Sequence, residues 1–471
     1  WRSCGRPRAG DLHCNPTMAS PGIRAFAIAP KAAERVVVRT SRGVVSGFRR
    51  DLDGPAHFRG VPFAQPISCA NRLGPPQPVV PWSGELDCSR FGPACWQNPS
   101  GGVGGSLFGT KAPHNFGAIG DGCLNLNVCT PNPGASSSLP VLVWVHGGAN
   151  KEGSNSECGF LQPGEAWAAL GVVGVSLNYR TGLHGFLHLP EARVTNNALR
   201  DLIAGLEWIH AEIARFGGDP ANVCLLGESA GAVNIASLLA SPKARPGELF
   251  HKAVLSSGGP KAFRAGPEYG AVLEAFRAAL REEEEAKEEA PSEEEADSQW
   301  QQRLAASLSG GCGEATLLTD DAAGAADADD AGERLAAATR RVKDPFEGAS
   351  TGASCASFNA LCRPGDDVLP LPIVEAVKAG RARGVALMVG NNGAEWTGLV
   401  AAIAMLKTGS ALPGCMVASS LAHRGIGPFA HAALVRCAAG AGSQEGVTMS
   451  DGEAESVWER LVEGLQRQEG G

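Results

Sequence analysis

The sequence predicts an α/β fold in which a wound, mostly parallel sheet carries helices on its faces. Short, continuous apolar runs at 139–146, 171–178 and 222–227 are the first observation. Runs of this length without polar alternation are typical of parallel strands that are buried on both faces. The second observation is a helix-spaced apolar pattern over 199–213, which separates the last two runs. Because strand and helix alternate in this way, the sheet is expected to be wound.

The chain before these runs predicts a small N-terminal hairpin. Residues 36–39 and 44–47 alternate around the turn-forming sequence Ser-Arg-Gly at 41–43. The preceding residues, 1–35, contain no compact apolar stretch, and we expect them to form an unstructured N-terminal extension. The rest of the chain, 36–471, is then expected to be a single domain.

The alternation continues after the third apolar run and is then interrupted. The expected elements are a helix at 230–239, a strand at 252–256, a helix at 373–379 and a strand at 385–390. Between them, residues 282–297 carry ten acidic side chains and one Lys. Acid-rich segments with few aromatic residues bury little apolar surface, so residues 270–345 predict an acidic, partly disordered excursion.

Composition excludes several classes of protein. The 471 residues are 44% hydrophobic, include 14 Cys and carry a net charge of −8. The apolar content is too high for a disordered chain, and the cysteines are too sparse for a disulfide scaffold. The negative balance argues against nucleic-acid binding. The longest apolar run, 166–177, is interrupted by two glycines and is too short to cross a bilayer, so no transmembrane segment is expected.

A candidate nucleophile lies between the strand at 222–227 and the helix at 230–239. Residues 227–231 read Gly-Glu-Ser-Ala-Gly, which fits the Gly-x-Ser-x-Gly pattern with Ser229 at its centre. A serine at a sharp strand-to-helix turn is held above the sheet, and small flanking residues let the backbone turn that tightly. The amide groups at the helix N-terminus also point towards whatever the serine attacks.

A nucleophilic serine needs a place for negative charge to develop. The sequence His-Gly-Gly-Ala at 146–149 directly follows the first buried strand. A glycine-rich loop at that position can direct backbone N–H groups at a developing oxyanion. An ordinary glycine turn at a strand end is the alternative, and the neighbouring nucleophile turn favours the functional interpretation.

Further short motifs occur in a fixed order along the chain. They are FRGVPFA at 58–64, RLGPP at 72–76, FGPACWQ at 91–97, CLNLNV at 123–128, NYRTGLHGF at 178–186, FGGDP at 216–220 and LFHKAVLSSG at 249–258. With the two glycine motifs above, this set resembles the type-B carboxylesterases, the cholinesterase-like branch of the α/β-hydrolases. The resemblance covers about two thirds of the chain.

The resemblance implies roles for individual residues. Ser229 would be the nucleophile, and the backbone amides of Gly148, Ala149 and Ala230 would form the oxyanion hole. Ser257 and Glu228 would occupy supporting positions. The family's acid lies after a strand, in a Gly-x-Asn-x-Asp-Glu-like motif, and residues 390–395, Gly-Asn-Asn-Gly-Ala-Glu, match it with Glu395. Ala394 replaces the aspartate of that motif.

The catalytic histidine matches the family least well. In the family's order the base follows the acid, so only His423 and His431 are candidates. His423 is followed by Pro428 and Phe429 at the family's offsets and is our choice, although Arg424 and Ile426 depart from the pattern. His431, or no base at all, remains an alternative. The segment between acid and histidine is shorter than in the family, as if part of it were missing.

The cysteines imply one disulfide and no metal site. By resemblance, Cys95 and Cys123 would pair, and such a bridge favours a secreted or lumenal location, although no signal peptide is visible. Cys129 and Cys224 lie in apolar runs and are expected to be buried thiols. No Cys-x-x-Cys or His/Cys cluster predicts a metal, and no glycine-rich motif predicts a nucleotide, so no cofactor is expected.

The sequence therefore predicts a serine ester hydrolase with a small-molecule ester as substrate. A catalytically impaired, cholinesterase-like binding or adhesion protein is one alternative, and an incomplete chain of a true esterase is another. Only two Tyr occur in the chain, and no aromatic cage for a quaternary ammonium group is visible, so a short-chain ester is favoured over a choline ester. The oligomeric state stays open.

Overall fold

The computed structural model describes residues between 34 and 390 with several gaps. The described ranges are 34–51, 53–68, 71–97, 118–134, 137–156, 164–190, 194–264, 267–285, 338–339 and 358–390. The expected N-terminal extension, apart from its last two residues, lies outside these ranges. So do most of the acidic excursion and the candidates Glu395, His423 and His431.

The strands of the described part follow one another along the chain from residue 34 to residue 390. They are β1 (Glu34–Arg39), β2 (Val44–Arg49), β3 (Ala56–Pro62), β4 (Glu85–Asp87), β5 (Asn125–Thr130), β6 (Leu139–Val145), β7 (Val173–Leu177), β8 (Gly218–Glu228), β9 (Lys252–Ser256), β10 (Ala262–Arg264), β11 (Ala360–Cys362) and β12 (Ala386–Gly390).

Helices separate the later strands. They are α1 (Glu165–Ala168), α2 (Gly182–Phe186), α3 (Asn197–Glu212), α4 (Ala230–Ala240), α5 (Pro267–Glu285) and α6 (Ile373–Lys378), with short 3-10 turns at Asp121–Cys123 and Ile213–Phe216. Helix α5 covers the beginning of the expected acidic excursion. Its Val272 and Phe276 side chains are buried in the core, so this part of the segment packs against the fold.

One mixed sheet organises the fold. Its strands lie in the order β1-β2-β3-β5-β7-β6-β8-β9-β12, and β4 pairs with β2. Within this order, β7, β6, β8, β9 and β12 pair in parallel with their neighbours. Strands β1, β2, β3 and β5 pair antiparallel with one another, and β5 also pairs antiparallel with β7. The predicted hairpin is β1–β2, and the predicted wound parallel sheet is confirmed.

The central strands are apolar on both faces because both faces are covered. Val141, Val143 and Val145 of β6 point into the main core, which α3 and α4 also line. Leu142 and Trp144 point to the opposite face and pack with Trp167, Val172, Cys224, Leu226 and Val254. This two-sided burial explains why these strands lack polar alternation in the sequence. Among the described helices, none is long and apolar enough to cross a membrane.

Candidate active site

The turn between β8 and α4 holds Ser229 in a strained backbone conformation. Ser229 has φ 54° and ψ −123°, although neighbouring residues are extended or helical. Positive φ is unfavourable for a residue with a side chain, and such strain collects at functional sites. Its amide donates to the Ser256 carbonyl oxygen at 2.9 Å, and its carbonyl oxygen accepts from Val233 at 3.1 Å. The Gly-x-Ser-x-Gly sequence therefore forms the predicted strand-to-helix turn.

Gly231 allows this turn to approach the neighbouring strand. A Cβ atom at Gly231 would overlap the carbonyl oxygen of Val145 and would lie 2.8 Å from that of His146. Val145 ends β6, the strand that pairs in parallel with β8. The first turn of α4 consequently lies directly against the start of the loop that follows β6.

That loop, residues 147–153, is called the glycine loop here and passes beside the Ser229 side chain. A Cβ atom at Gly147 would lie 3.3 Å from the Ser229 Cβ and 2.9 Å from the Glu228 carbonyl oxygen. Gly148, Ala149 and Asn150 follow with φ values of 103°, 56° and 59°. Positive φ at the non-glycine residues Ala149 and Asn150 marks a strained backbone, and here the strain lies next to the nucleophile turn. The structure thus brings the predicted oxyanion residues Gly148, Ala149 and Ala230 to the vicinity of Ser229.

Buried polar side chains connect the glycine loop to helix α4. The Asn150 Oδ1 accepts from Asn234 Nδ2 at 2.9 Å and from the Tyr179 hydroxyl at 3.3 Å, and its Nδ2 donates to the Phe358 carbonyl oxygen at 2.8 Å. The Tyr179 hydroxyl also lies 2.9 Å from the His146 carbonyl oxygen. Asn150, Tyr179 and Asn234 are buried. We call these three residues the buttress, because they tie the loop to the helix that Ser229 begins.

His146 is a buried residue whose ring packs within this site. Its ring stacks on Tyr179 with the ring centroids 4.3 Å apart, and its Nδ1 lies 2.9 Å from the Gly147 carbonyl oxygen. Complete burial lowers the pKa of His146 to about 4. The ring is consequently neutral near pH 7, and it donates from Nδ1 to the carbonyl.

Glu228 and Ser257 are the two residues expected to support the turn. Glu228 is half-buried at the end of β8, and its Oε2 would be 3.0 Å from a Cβ at Gly147. Ser257 follows β9, has φ 52°, and donates its amide to the Gly390 carbonyl oxygen at 2.8 Å. The end of β12 therefore lies beside the nucleophile turn. The candidate acid Glu395 follows β12 in the sequence and lies outside the described residues, as does His423.

A disulfide joins two distant segments of the described chain. Cys95 and Cys123 are bonded, which confirms the bridge implied by the resemblance. Cys129 and Cys224 are buried, as predicted. In the part of the chain that the structure describes, no cluster of three His, Cys, Asp or Glu side chains could hold a metal ion.

The buttress and Gln97 are the parts of the site that the sequence did not predict. Tyr179 belongs to the NYRTG motif and Gln97 to the FGPACWQ motif, so both lie in segments that carry the resemblance. No pattern in the residues themselves assigns them a role, because each acts through contacts with residues distant in the chain.

Several known proteins are similar to this chain. Residues 34–268 match the carboxylesterase family. A para-nitrobenzyl esterase from Bacillus subtilis (strain 168) is 42% identical over 226 residues, which cover 47% of this chain and 43% of that protein. A carboxylesterase 1D from Rattus norvegicus is 37% identical over 230 residues, covering 47% of this chain and 40% of the relative.

A solved structure of a thermophilic PNB esterase superposes with a TM-score of 0.57 at 30% identity, covering 76% of this chain and 63% of that one. The chain spans less than half the length of the two curated relatives that it matches. Through residues 34–268, the chain belongs to the carboxylesterase family of α/β-hydrolases.

Proposed function

We propose that the protein is a serine carboxylic-ester hydrolase that acts through an acyl-enzyme on Ser229. The observation that carries the proposal is the strained Ser229 turn with the glycine loop packed beside its side chain. The carboxylesterase and para-nitrobenzyl esterase relatives support the same reaction class. A small carboxylic ester is the proposed substrate.

The proposed reaction has two halves. The Ser229 hydroxyl attacks the ester carbonyl carbon while His423 takes the hydroxyl proton, and the amides of Gly148, Ala149 and Ala230 stabilise the oxyanion. The intermediate then collapses, and the alcohol leaves with the proton from His423. Water attacks the acyl-enzyme in the same way and releases the carboxylic acid and Ser229.

Glu395 is the proposed acid that orients His423. Its position in the sequence supports this role, because Glu395 follows Gly390 closely and the Gly390 carbonyl oxygen lies 2.8 Å from the Ser257 amide nitrogen. Carboxylates at the carboxyl ends of neighbouring parallel strands lie at the same edge of the sheet as the nucleophile. The supporting roles of Ser257 and Glu228 belong to the same proposal.

Labelling of Ser229 tests the nucleophile. Purified full-length protein is incubated with a fluorophosphonate probe and, separately, with p-nitrophenyl butyrate. We expect the wild type to be labelled at Ser229 and to release nitrophenol, and Ser229→Ala to lose both signals. Ser83→Ala, at an exposed serine, is the matched control and should behave as the wild type does. A wild-type protein that is neither labelled nor active would favour the alternative of a binding protein and would contradict the proposal.

The base is tested by a pair of histidine variants. His423→Ala is expected to lower kcat by several powers of ten, because an unactivated serine alcohol is a poor nucleophile near neutral pH. His431→Ala should retain wild-type turnover. The reverse outcome would assign the base to His431, and equal, full activity of both variants would remove the histidine from the mechanism.

A further inference from the structure

We propose that Gln97 is a positioning residue for the glycine loop, an inference that rests on the proposed esterase function. Gln97 lies far from Ser229 in the sequence and is buried, with an exposed fraction of 3%. Its side-chain amide forms hydrogen bonds with both the backbone N–H and the backbone carbonyl oxygen of Gly153, the last residue of the glycine loop. The Gly153 amide donates to Gln97 Oε1 at 2.8 Å, and Gln97 Nε2 donates to the Gly153 carbonyl oxygen at 2.8 Å.

Gly153 transmits this contact to the oxyanion residues. It has φ 116°, and a Cβ atom there would overlap the His146 ring and lie 2.6 Å from the Gly147 carbonyl oxygen. The Gly148 carbonyl oxygen accepts from the amides of Lys151 at 3.0 Å and Glu152 at 3.2 Å, so the residues between Gly148 and Gly153 form one closed turn. A shift of Gly153 would therefore move Gly148 and Ala149 relative to Ser229.

The other end of the contact is fixed. Gln97 Nε2 also donates to the Cys95 carbonyl oxygen at 3.0 Å, and Cys95 is bonded to Cys123. Trp96 Nε1 donates to Asp121 Oδ1 at 2.7 Å, so the segment before Gln97 is attached to the 3-10 turn at Asp121–Cys123. The disulfide thus anchors the residue that holds the loop. Because the Gln97 amide is buried and bonded to backbone groups, it acts through Gly153 and does not contact substrate.

Gln97→Leu is the first test, since leucine has a similar volume and no hydrogen-bonding group. We expect kcat for p-nitrophenyl butyrate to fall about 10- to 100-fold, less than the loss of a whole oxyanion donor, with KM changed less than about 3-fold. Oxyanion donors act in the transition state, so misplacing them affects kcat more than substrate binding. Gln77→Leu is the matched control, because the Gln77 amide donates to the Pro75 carbonyl oxygen at an exposed position. Wild-type kcat in Gln97→Leu, or a change confined to KM, would overturn the proposal.

Gln97→Glu gives a readout that a general loss of stability would not produce. The substituted carboxylate can accept from the Gly153 amide but faces the carbonyl oxygens of Gly153 and Cys95, to which it cannot donate. Protonation supplies one O–H donor in place of the two N–H donors of the amide, so a bond to the Gly153 carbonyl oxygen can form again. Measured as the ratio of variant to wild-type kcat at each pH, activity should rise by about 10-fold between about pH 8 and about pH 6. A ratio that stays constant with pH would contradict the positioning role.

Hydrogen exchange separates failure of this inference from failure of the proposed function. In the wild type the Gly153 amide donates a hydrogen bond to Gln97 Oε1. Gln97→Leu should therefore speed hydrogen exchange of the Gly153 amide by about 10-fold or more, while exchange in β6 stays unchanged. Unchanged exchange at Gly153 would overturn the positioning role of Gln97, whether or not the protein is active. A wild type without turnover, but with faster Gly153 exchange in Gln97→Leu, would overturn the proposed function and leave the contact itself supported.

Discussion

At the scale of single residues, the site depends on backbone contacts that leave no room for a side chain. Gly231 lies against the Val145 carbonyl oxygen, and an added Cβ would force α4 and β6 apart. We expect Gly231→Ala to lower the free energy of unfolding by about 1–3 kcal/mol, since overpacking strains the surrounding structure. The same shift should slow fluorophosphonate labelling of Ser229. Urea denaturation and labelling kinetics measure the two effects.

Gly270 provides the control for this substitution. It is exposed in α5, and no heavy atom lies within 4 Å of the position that a Cβ would take. Gly270→Ala should therefore raise the free energy of unfolding by about 0.5–1 kcal/mol, as expected for alanine in an open helical position. Equal effects of the two substitutions would show that the close approach at Gly231 does not matter.

The buried ring of His184 makes stability depend on pH. Among the residues that the structure describes, neither ring nitrogen finds a hydrogen-bond partner, and the ring stacks on Trp96. Burial, with the nearby charges of Arg72 and Arg180, lowers the pKa of His184 to about 3, against 6.5 for the free side chain. The unfolded chain therefore binds a proton that the folded protein excludes. Stability is lost as pH falls below about 6.5, and the loss continues until the folded pKa is reached.

His184→Phe tests this dependence while keeping a flat ring at the same position. Between about pH 7 and about pH 5, the wild type should lose about 2 kcal/mol through this residue, and the variant should not. Burial likewise lowers the pKa values of His146 and His188 to about 4, so part of the wild-type loss should remain in the variant. Urea denaturation at the two pH values gives the comparison. An equal loss in both proteins would rule out His184 as a source.

At the scale of elements, the buttress joins the glycine loop to helix α4. Asn234→Leu removes the donor at 2.9 Å from Asn150 Oδ1. We expect the free energy of unfolding to fall by about 1–3 kcal/mol and kcat to fall with little change in KM, since the loop and the nucleophile helix are no longer tied together. Ser237→Ala is the matched control on the same helix. The Ser237 hydroxyl donates to the Val233 carbonyl oxygen within α4, so its loss should leave kcat unchanged.

The predicted and the observed elements agree for some strands and helices and differ for others. The strand expected at 252–256 is β9, Lys252–Ser256, and the helix expected at 199–213 is α3, Asn197–Glu212. No strand is predicted at the position of β5, although all six of its residues are buried. Its Asn125 and Asn127 side chains are buried because they bond the distant carbonyl oxygens of Pro93 and Asn155. Because remote partners satisfy these polar residues, the local sequence does not show that the strand is buried on both faces.

At the scale of the whole molecule, the candidate site also combines features that the local sequence predicts with features that it does not. The Ser229 turn could be predicted because its strand, glycines and helix are adjacent in the sequence. The positions of the glycine loop and of the β12 end relative to Ser229 depend on strand order, since β6 and β9 both flank β8. Parallel order brings the carboxyl ends of these strands together, and no local motif contains that information.

A buried ion pair joins distant parts of the fold. Arg180, which follows β7, contacts Asp201 of α3 with Nη2–Oδ1 at 2.6 Å and Nε–Oδ2 at 2.7 Å, and both side chains are 0% exposed. Arg180 Nη1 also donates to the carbonyl oxygens of Arg72 at 3.0 Å and Gly74 at 2.8 Å. The segment near residue 72, the end of β7 and the start of α3 therefore share one charged centre.

Asp201→Asn should destabilise the whole molecule, because it leaves the Arg180 guanidinium buried without its counter-charge. We expect the free energy of unfolding to fall by about 3–5 kcal/mol, and the loss should persist at about 1 M NaCl, since salt does not screen a buried pair. Asp367→Asn is the control: Asp367 is 49% exposed and pairs with Arg200 and Lys243 at the surface. It should lower stability by less than about 1 kcal/mol, and less still in high salt. Similar losses for both substitutions would mean that the buried pair does not join these segments.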